Sequence, residues 1–156
     1  MMSKLRFRIY LFRPLIPQNT GNIGRLCVGF NSGLSIVGQP GFNIDDKSLR
    51  RAGLDYWPKL DFEHIPDENV WIPPKRCFIV SKFSEKCLFN VNFQQGDSFL
   101  FGQETKGMEF FPEKIKAKLP TFSIPMSPNI RSFNLANTAS MVLLEATRQL
   151  MKKSAL

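Results

Sequence analysis

The order of apolar patterns at the N-terminal end of this chain leaves few folds open to it. Arg6 to Phe12 is a run rich in Phe, Ile, Tyr and Leu that stops at Pro14, the signature of a buried strand. Pro17-Gln-Asn-Thr-Gly-Asn22 reads as a loop. Ile23, Leu26, Cys27 and Phe30 then recur at i, i+3, i+4 and i+7, which predicts a helix with one apolar stripe, ending near Gly33 and leaving Arg25 off the stripe. Leu34-Ser-Ile-Val-Gly38 follows as a second strand. Two strands separated by a helix pair in parallel through a crossover, so the chain begins as a βαβ unit.

The rest extends that theme. Asp45 to Gly53 is a short polar helix stopped by glycine, with a basic face of Lys47, Arg50 and Arg51 that suits either plain solvation or contact with an anion. Residues 55–74 are aromatic and proline-containing without clean periodicity, compatible with a short strand and a helical turn. Arg76 to Ser81 and Ser98 to Gly102 are apolar runs of buried-strand type, each followed by polar loop residues. Pro112 to Leu119 predicts a helix with proline in its first turn, and Thr121 to Ile124 one more strand. Beyond Pro125 and Pro128, the polar residues Ser132, Asn134 and Asn137 exceed what capping one helix requires. In the terminal helix Leu135, Ala139, Val142, Leu143, Ala146 and Leu150 form a core stripe, with Met141 and Leu144 outside it. The sum is about five mainly parallel strands in an open α/β sheet, one domain over residues 1–156. Apolar residues on a second face of the last helix call for a second surface: a homodimer, or the region 55–74.

Composition narrows the partners. Twenty-one Lys and Arg against 13 Asp and Glu give a formal charge of +8, which favours an anionic partner such as nucleic acid where it does more than keep the chain in solution. Cys27, Cys77 and Cys87 are odd in number, without CxxC spacing and with one histidine in the chain, which argues against zinc and for free thiols in a reducing cytoplasm. Glu104 has no second carboxylate or histidine at ligand spacing, so no metal is expected. Ser132 and Ser140 lack a triad histidine in sight, which argues against a hydrolase. Met1 to Phe12 alternates charge with apolar residues and has no uninterrupted apolar run long enough for a signal peptide or a membrane span.

Asn19 to Arg25, Phe101 to Gly107 and Ile124 to Asn137 each combine glycine or proline with polar residues after a strand. In open parallel sheets ligands bind beyond the carboxyl ends of the strands, so the three segments should converge on one crevice. The first lacks both the GxGxxG order and the GK[ST] ending of known phosphate loops. Pro17 to Cys27, Gly41 to Tyr56, Phe101 to Met108 and Ile124 to Leu150 together resemble the SPOUT superfamily of RNA methyltransferases, and within it the TrmL type, which methylates the ribose 2'-oxygen of cytidine or uridine 34 of tRNA. The likeness runs from about residue 6 to residue 151.

The resemblance implies a deep C-terminal trefoil knot, an exception to the general absence of threaded loops. It also implies S-adenosylmethionine bound in that knot and an obligate homodimer sharing its active site. Carried over residue by residue, it assigns cofactor contacts to Val80, Gly102, Ile124, Met126, Ser132 and Leu135. Arg25 matches the arginine that activates the ribose hydroxyl or holds the neighbouring phosphate, and Asn19, Glu104, Ser132 and Asn134 match polar positions that shape the site. Lys47, Arg50, Arg51, Lys106 and Arg131 become candidates for holding the anticodon stem-loop of tRNA. Gln103, Lys106 and Ala136 depart from the commonest pattern, which has proline, arginine and serine there. Two further readings stay open: methylation at another tRNA or rRNA position, and a non-catalytic RNA-binding module with this fold.

Overall fold

The computed structural model describes residue 4 and residues 6–45, 47, 49 and 55–155. Six strands, β1 (Arg8–Phe12), β2 (Gly33–Val37), β3 (Phe62–Ile65), β4 (Cys77–Val80), β5 (Ser98–Phe101) and β6 (Thr121–Phe122), form one sheet in the order β3-β2-β1-β5-β4-β6. Every neighbouring pair is parallel. Three helices have described bounds, α1 (Pro17–Gly29), α2 (Glu113–Lys118) and α3 (Leu135–Ser154), while the helix expected over Asp45 to Gly53 falls mostly outside the described residues. The chain runs outward from β1 to β3, then crosses to the other side of β1, where β5 slots between β1 and β4. The connections therefore reverse direction between β1 and β5, the position at which an open parallel sheet presents a crevice.

Several expectations change. Residues 17–22 are the first turns of α1 rather than a loop, so Asn19 to Arg25 is helix and offers no phosphate-binding loop. Pro17 sits in the first turn, where its missing N–H costs nothing. Gly24, inside this helix, has a packing reason: a Cβ there would stand 3.2 Å from Leu60 and 3.4 Å from the Trp57 ring. Tyr56 closes the same contact by donating its hydroxyl to the Gly21 carbonyl. α1 ends at Gly29, four residues before Gly33. The region 55–74 supplies a 3-10 turn at Trp57–Lys59 and strand β3, giving six strands rather than five. The turn packs against α1, while Leu144 and Met151 on α3 remain 62% and 64% exposed.

Strand alternation divides the core into two layers. Ile9, Leu11, Phe99 and Phe101 face α1 and α3, meeting Ile23, Cys27, Ala139, Val142 and Leu143. Tyr10, Phe12 and Leu100 face the other way, against Trp71, Phe111 and Ile115. Phe99, with no exposed surface, has its ring centroid 5.4–6.4 Å from those of Phe7, Phe78, Phe93 and Phe122. Such tilted and edge-on arrangements favour aromatic pairs beyond plain burial. Among the described residues no helix is long and apolar enough to cross a membrane. Replacing Phe99 by alanine should cost about 3–5 kcal/mol in urea unfolding, since it empties the centre of this cluster; a loss below ~1 kcal/mol would contradict the packing.

Candidate active site

Because all strands are parallel, the segments following β4, β5 and β6 emerge at one end of the sheet. They enclose a cavity of about 810 Å³ with walls from residues 80–83, 101–109 and 131–135 together with Ile124 and Met126. Ile16 and Asn19 at the start of α1 complete it. This volume lies in the range of small-molecule sites, about 300–1,000 Å³. The expected convergence of the three segments is thus realised, with Asn19 contributed by a helix rather than a loop.

Hydrogen bonds between distant segments hold the walls. Gln103 and Gly107 exchange backbone hydrogen bonds of 3.0 and 2.9 Å, and a Cβ on Gly102 would lie 2.4 Å from the Gly107 backbone, so this tight loop requires glycine at 102. The Glu104 carboxylate accepts the N–H groups of Leu15 at 2.7 Å and Ile16 at 3.0 Å. Ile16 is the N-cap of α1 and has no side chain able to cap it. Glu104 therefore supplies, across the cavity, the acceptor and negative charge that a helix start favours. Asn134 caps α3 by accepting from the Asn137 N–H at 3.2 Å, and its amide donates to the Asn19 Oδ1 at 3.0 Å. Lys82 Nζ reaches the Arg131 carbonyl at 3.0 Å and braces the segment before α3.

The cavity brings together Asn19, Glu104, Ser132 and Asn134 with Val80, Gly102, Ile124, Met126 and Leu135, and places Lys106 and Arg131 on its rim. Arg25 is not among its lining residues. It is exposed six residues beyond Asn19, roughly 9 Å further along the helix axis and on another face. There it lines a second depression between α1 and α3 with Asn22, Asn137 and Ser140. Lys47 is exposed and does not line the cavity, and Arg50 and Arg51 lie outside the described residues. Reading the sequence missed Lys82, Phe83 and Lys116, which also line the cavity. Lys82 and Phe83 follow β4 closely and could have been found by the same carboxyl-end rule that located the other loops. No cysteine lines the cavity. Cys27 and Cys77 are buried, and burial raises both thiols, Cys77 to about 12, so neither ionises near neutral pH.

Comparison with known proteins agrees with this fold. Residues 6–144 match the SpoU rRNA methylase family. The tRNA (cytidine(34)-2'-O)-methyltransferase of Escherichia coli K12 is 41% identical over 148 residues, covering 91% of this chain and 92% of the relative. A solved structure described as giving insight into the 2-OH methylation of C/U34 on tRNA superposes with a TM-score of 0.86 at 36% identity, over 94% of this chain and 97% of its own. The SpoU methyltransferase AviRb of Streptomyces viridochromogenes, in complex with AdoMet, gives a TM-score of 0.80 at 25% identity, over 96% of this chain and 63% of its own.

Asn134→Ala should lower stability by about 1–2 kcal/mol in urea unfolding, through loss of the α3 cap and of the contact with Asn19. Asn134→Ser should recover the capping part of that loss. Unchanged stability in the alanine variant would mean that Asn134 does not cap the helix.

Proposed function

The chain belongs to the SpoU rRNA methylase family, and from that premise we propose that it transfers a methyl group from S-adenosylmethionine to the ribose 2'-oxygen of nucleotide 34 of tRNA. The observation that carries this reading is that one cavity at the carboxyl ends of β4, β5 and β6 has in its lining all six residues assigned to the cofactor. The relatives named for methylation of cytidine 34 support the choice of target.

The cavity fits the cofactor in size and chemistry. Val80, Gly102, Ile124, Met126, Ser132 and Leu135 all line it; the first three would offer backbone groups to the cofactor, Met126 and Leu135 apolar surface for the base and the methionine chain, and Ser132 a hydroxyl. When bound, S-adenosylmethionine supplies a methyl group on a sulfonium. What remains for the protein is alignment and charge. Asn134, tied to Asn19, holds the segment that carries Ser132 against the start of α1. The ribose oxygen gains negative charge as it becomes a nucleophile, and the Arg25 guanidinium is the cation that stabilises it or fixes the adjacent phosphate. Lys106 and Arg131, with Lys47, Arg50 and Arg51, hold the phosphates of the anticodon stem-loop, whose exposed nucleotide can be read as a single strand.

Within one chain Arg25 does not line the cavity, and a two-fold assembly would bring the partner subunit's Arg25 to it. The exposed Leu144 and Met151 favour such a homodimer. They continue the α3 face of Asn137 and Ser140 at helical spacing, and so extend the apolar surface beside the depression that holds Arg25. A trefoil knot belongs to the same proposal. The segment after β6 is tied on one side by Ser123 N–H to the Lys86 carbonyl and by Leu88 N–H to the Ser123 carbonyl, both at 2.8 Å. It faces residues 101–109 across the cavity on the other. The free thiols suit a reducing compartment, and we place the enzyme in the cytoplasm.

Incubation with labelled cofactor and total tRNA should give an alkali-resistant dinucleotide at position 34. No transfer would defeat the enzymatic reading, and a resistant link elsewhere would move the target to another tRNA or rRNA position. Arg25→Ala should cut turnover by about 100-fold or more while leaving S-adenosylhomocysteine affinity in calorimetry unchanged; near-parental turnover would remove Arg25 from the chemistry. In sedimentation the protein should run as a dimer, and Leu144→Asp should shift it to monomer and abolish methyl transfer. A dilute sample running as a clean monomer with full activity would rule the shared site out.

A further inference from the structure

Among the cavity-lining residues that the proposed chemistry leaves without a task, Phe83 stands out, with 80% of its surface exposed. An exposed phenylalanine alone means little. Here the chain is built to present it: Ser84 N–H bonds the Ser81 carbonyl and Phe83 N–H bonds the Ser81 hydroxyl, both at 3.2 Å, which fixes a turn directly after β4. Lys82 Nζ stands 5.2 Å from the ring centroid while bonded to the Arg131 carbonyl, so the ring, the lysine and the Arg131 segment form one unit at the cavity.

The charge around that unit is positive. Lys82, Lys106, Lys116 and Arg131 share the lining. Of the two carboxylates there, Glu104 is held by the N–H groups of Leu15 and Ile16, and Glu109 stands 3.9 Å from Lys106. A flat apolar ring beside cations that can take phosphates is the combination by which proteins hold single-stranded nucleic acid, the ring stacking on a base and the cations tracking the backbone. A nucleotide entering this cavity leaves its own stack and needs a replacement surface.

We propose that Phe83 is a stacking platform for an unstacked base of the RNA substrate, either the base of the methylated nucleotide or that of its neighbour. It acts as a positioning residue that helps bring the ribose to the cavity. This rests on the reading of the chain as an RNA methyltransferase, and a binding measurement separates the two.

The probe is a synthetic anticodon stem-loop RNA. Phe83→Ala should bind it roughly 5- to 100-fold more weakly, with a matching rise in KM for tRNA and unchanged S-adenosylhomocysteine affinity, and Phe83→Tyr should restore binding. Phe83→Trp, after subtraction of the parental titration to remove Trp57 and Trp71, should show saturable fluorescence quenching by the RNA. Phe89→Ala, which removes another exposed ring outside the cavity lining, should bind like the parent. Parental RNA affinity in Phe83→Ala, or no quenching of Trp at position 83 at saturation, overturns the proposal. So does a shift of Phe83→Ala from dimer to monomer in sedimentation, which would make the ring a contact between copies. If the parent transfers no methyl group yet binds the RNA with quenching at position 83, the enzymatic reading falls and the platform stands. If the parent does not bind the RNA, both fall.

Discussion

The parallel pairing of β1 with β5 is the joint on which this molecule depends. Four register pairs, Arg8 with Ser98 through Leu11 with Phe101, unite a half-sheet of β1 to β3 with one of β4 to β6. β1 and β5 are covered on both faces, which is why they read as nearly continuous apolar runs. Because the connections reverse direction at this pair, the loops beyond it part instead of packing over one another. The cavity opens there. Parallel pairing also puts the segments after β1, β4, β5 and β6 at one end of the sheet, so residues from Ile16 to Leu135 meet in one place.

What shapes the cavity, once the sheet has placed it, is a set of polar contacts between segments far apart in sequence. Asn19 and Asn134 are 115 residues apart, Glu104 and Leu15 are 89, and Gln103 and Arg13 are 90. Gln103 illustrates how a departure from the TrmL pattern can be structural. Its side-chain amide donates to the Arg13 carbonyl at 3.0 Å and its backbone N–H to the Gly107 carbonyl, and proline at this position could make neither bond. The carbonyl it binds belongs to a residue with φ of 45°, a conformation uncommon outside glycine, so Gln103 helps fix the abrupt end of β1.

Much of the architecture was legible because it is written in local periodicity. The stripe of α3 and the apolar runs of β1, β2, β4 and β5 appear as their spacing predicts. The errors fall where tertiary contacts overrule local preference. Gly21 and Gly24 suggest a loop, yet they lie inside α1 because Tyr56, Trp57 and Leu60 press close against it. β3 is an edge strand with Glu63 exposed, so it has neither alternation nor a continuous apolar run. Contacts such as Ser35 to Glu63, and His64 to the Gly38 carbonyl, help tie it to its neighbour. For the candidate site, the carboxyl-end rule located the loops, whereas the separation of Arg25 from the cavity depends on which way each face of α1 turns. The task of Glu104 was not legible either, since its partners are backbone groups of a distant segment.

Glu104 also joins two parts of the molecule thermodynamically. The first turn of α1 has no side-chain cap of its own, and the Glu104 carboxylate bridges its start to residues 102–108. Anything that steadies the loop thereby steadies the helix start, and by reciprocity anything that grips the helix start tightens the loop to an equal degree. α1 carries Asn19 on one face and Arg25 on another, so a single carboxylate braces the helix that borders both the cavity and the α1–α3 depression.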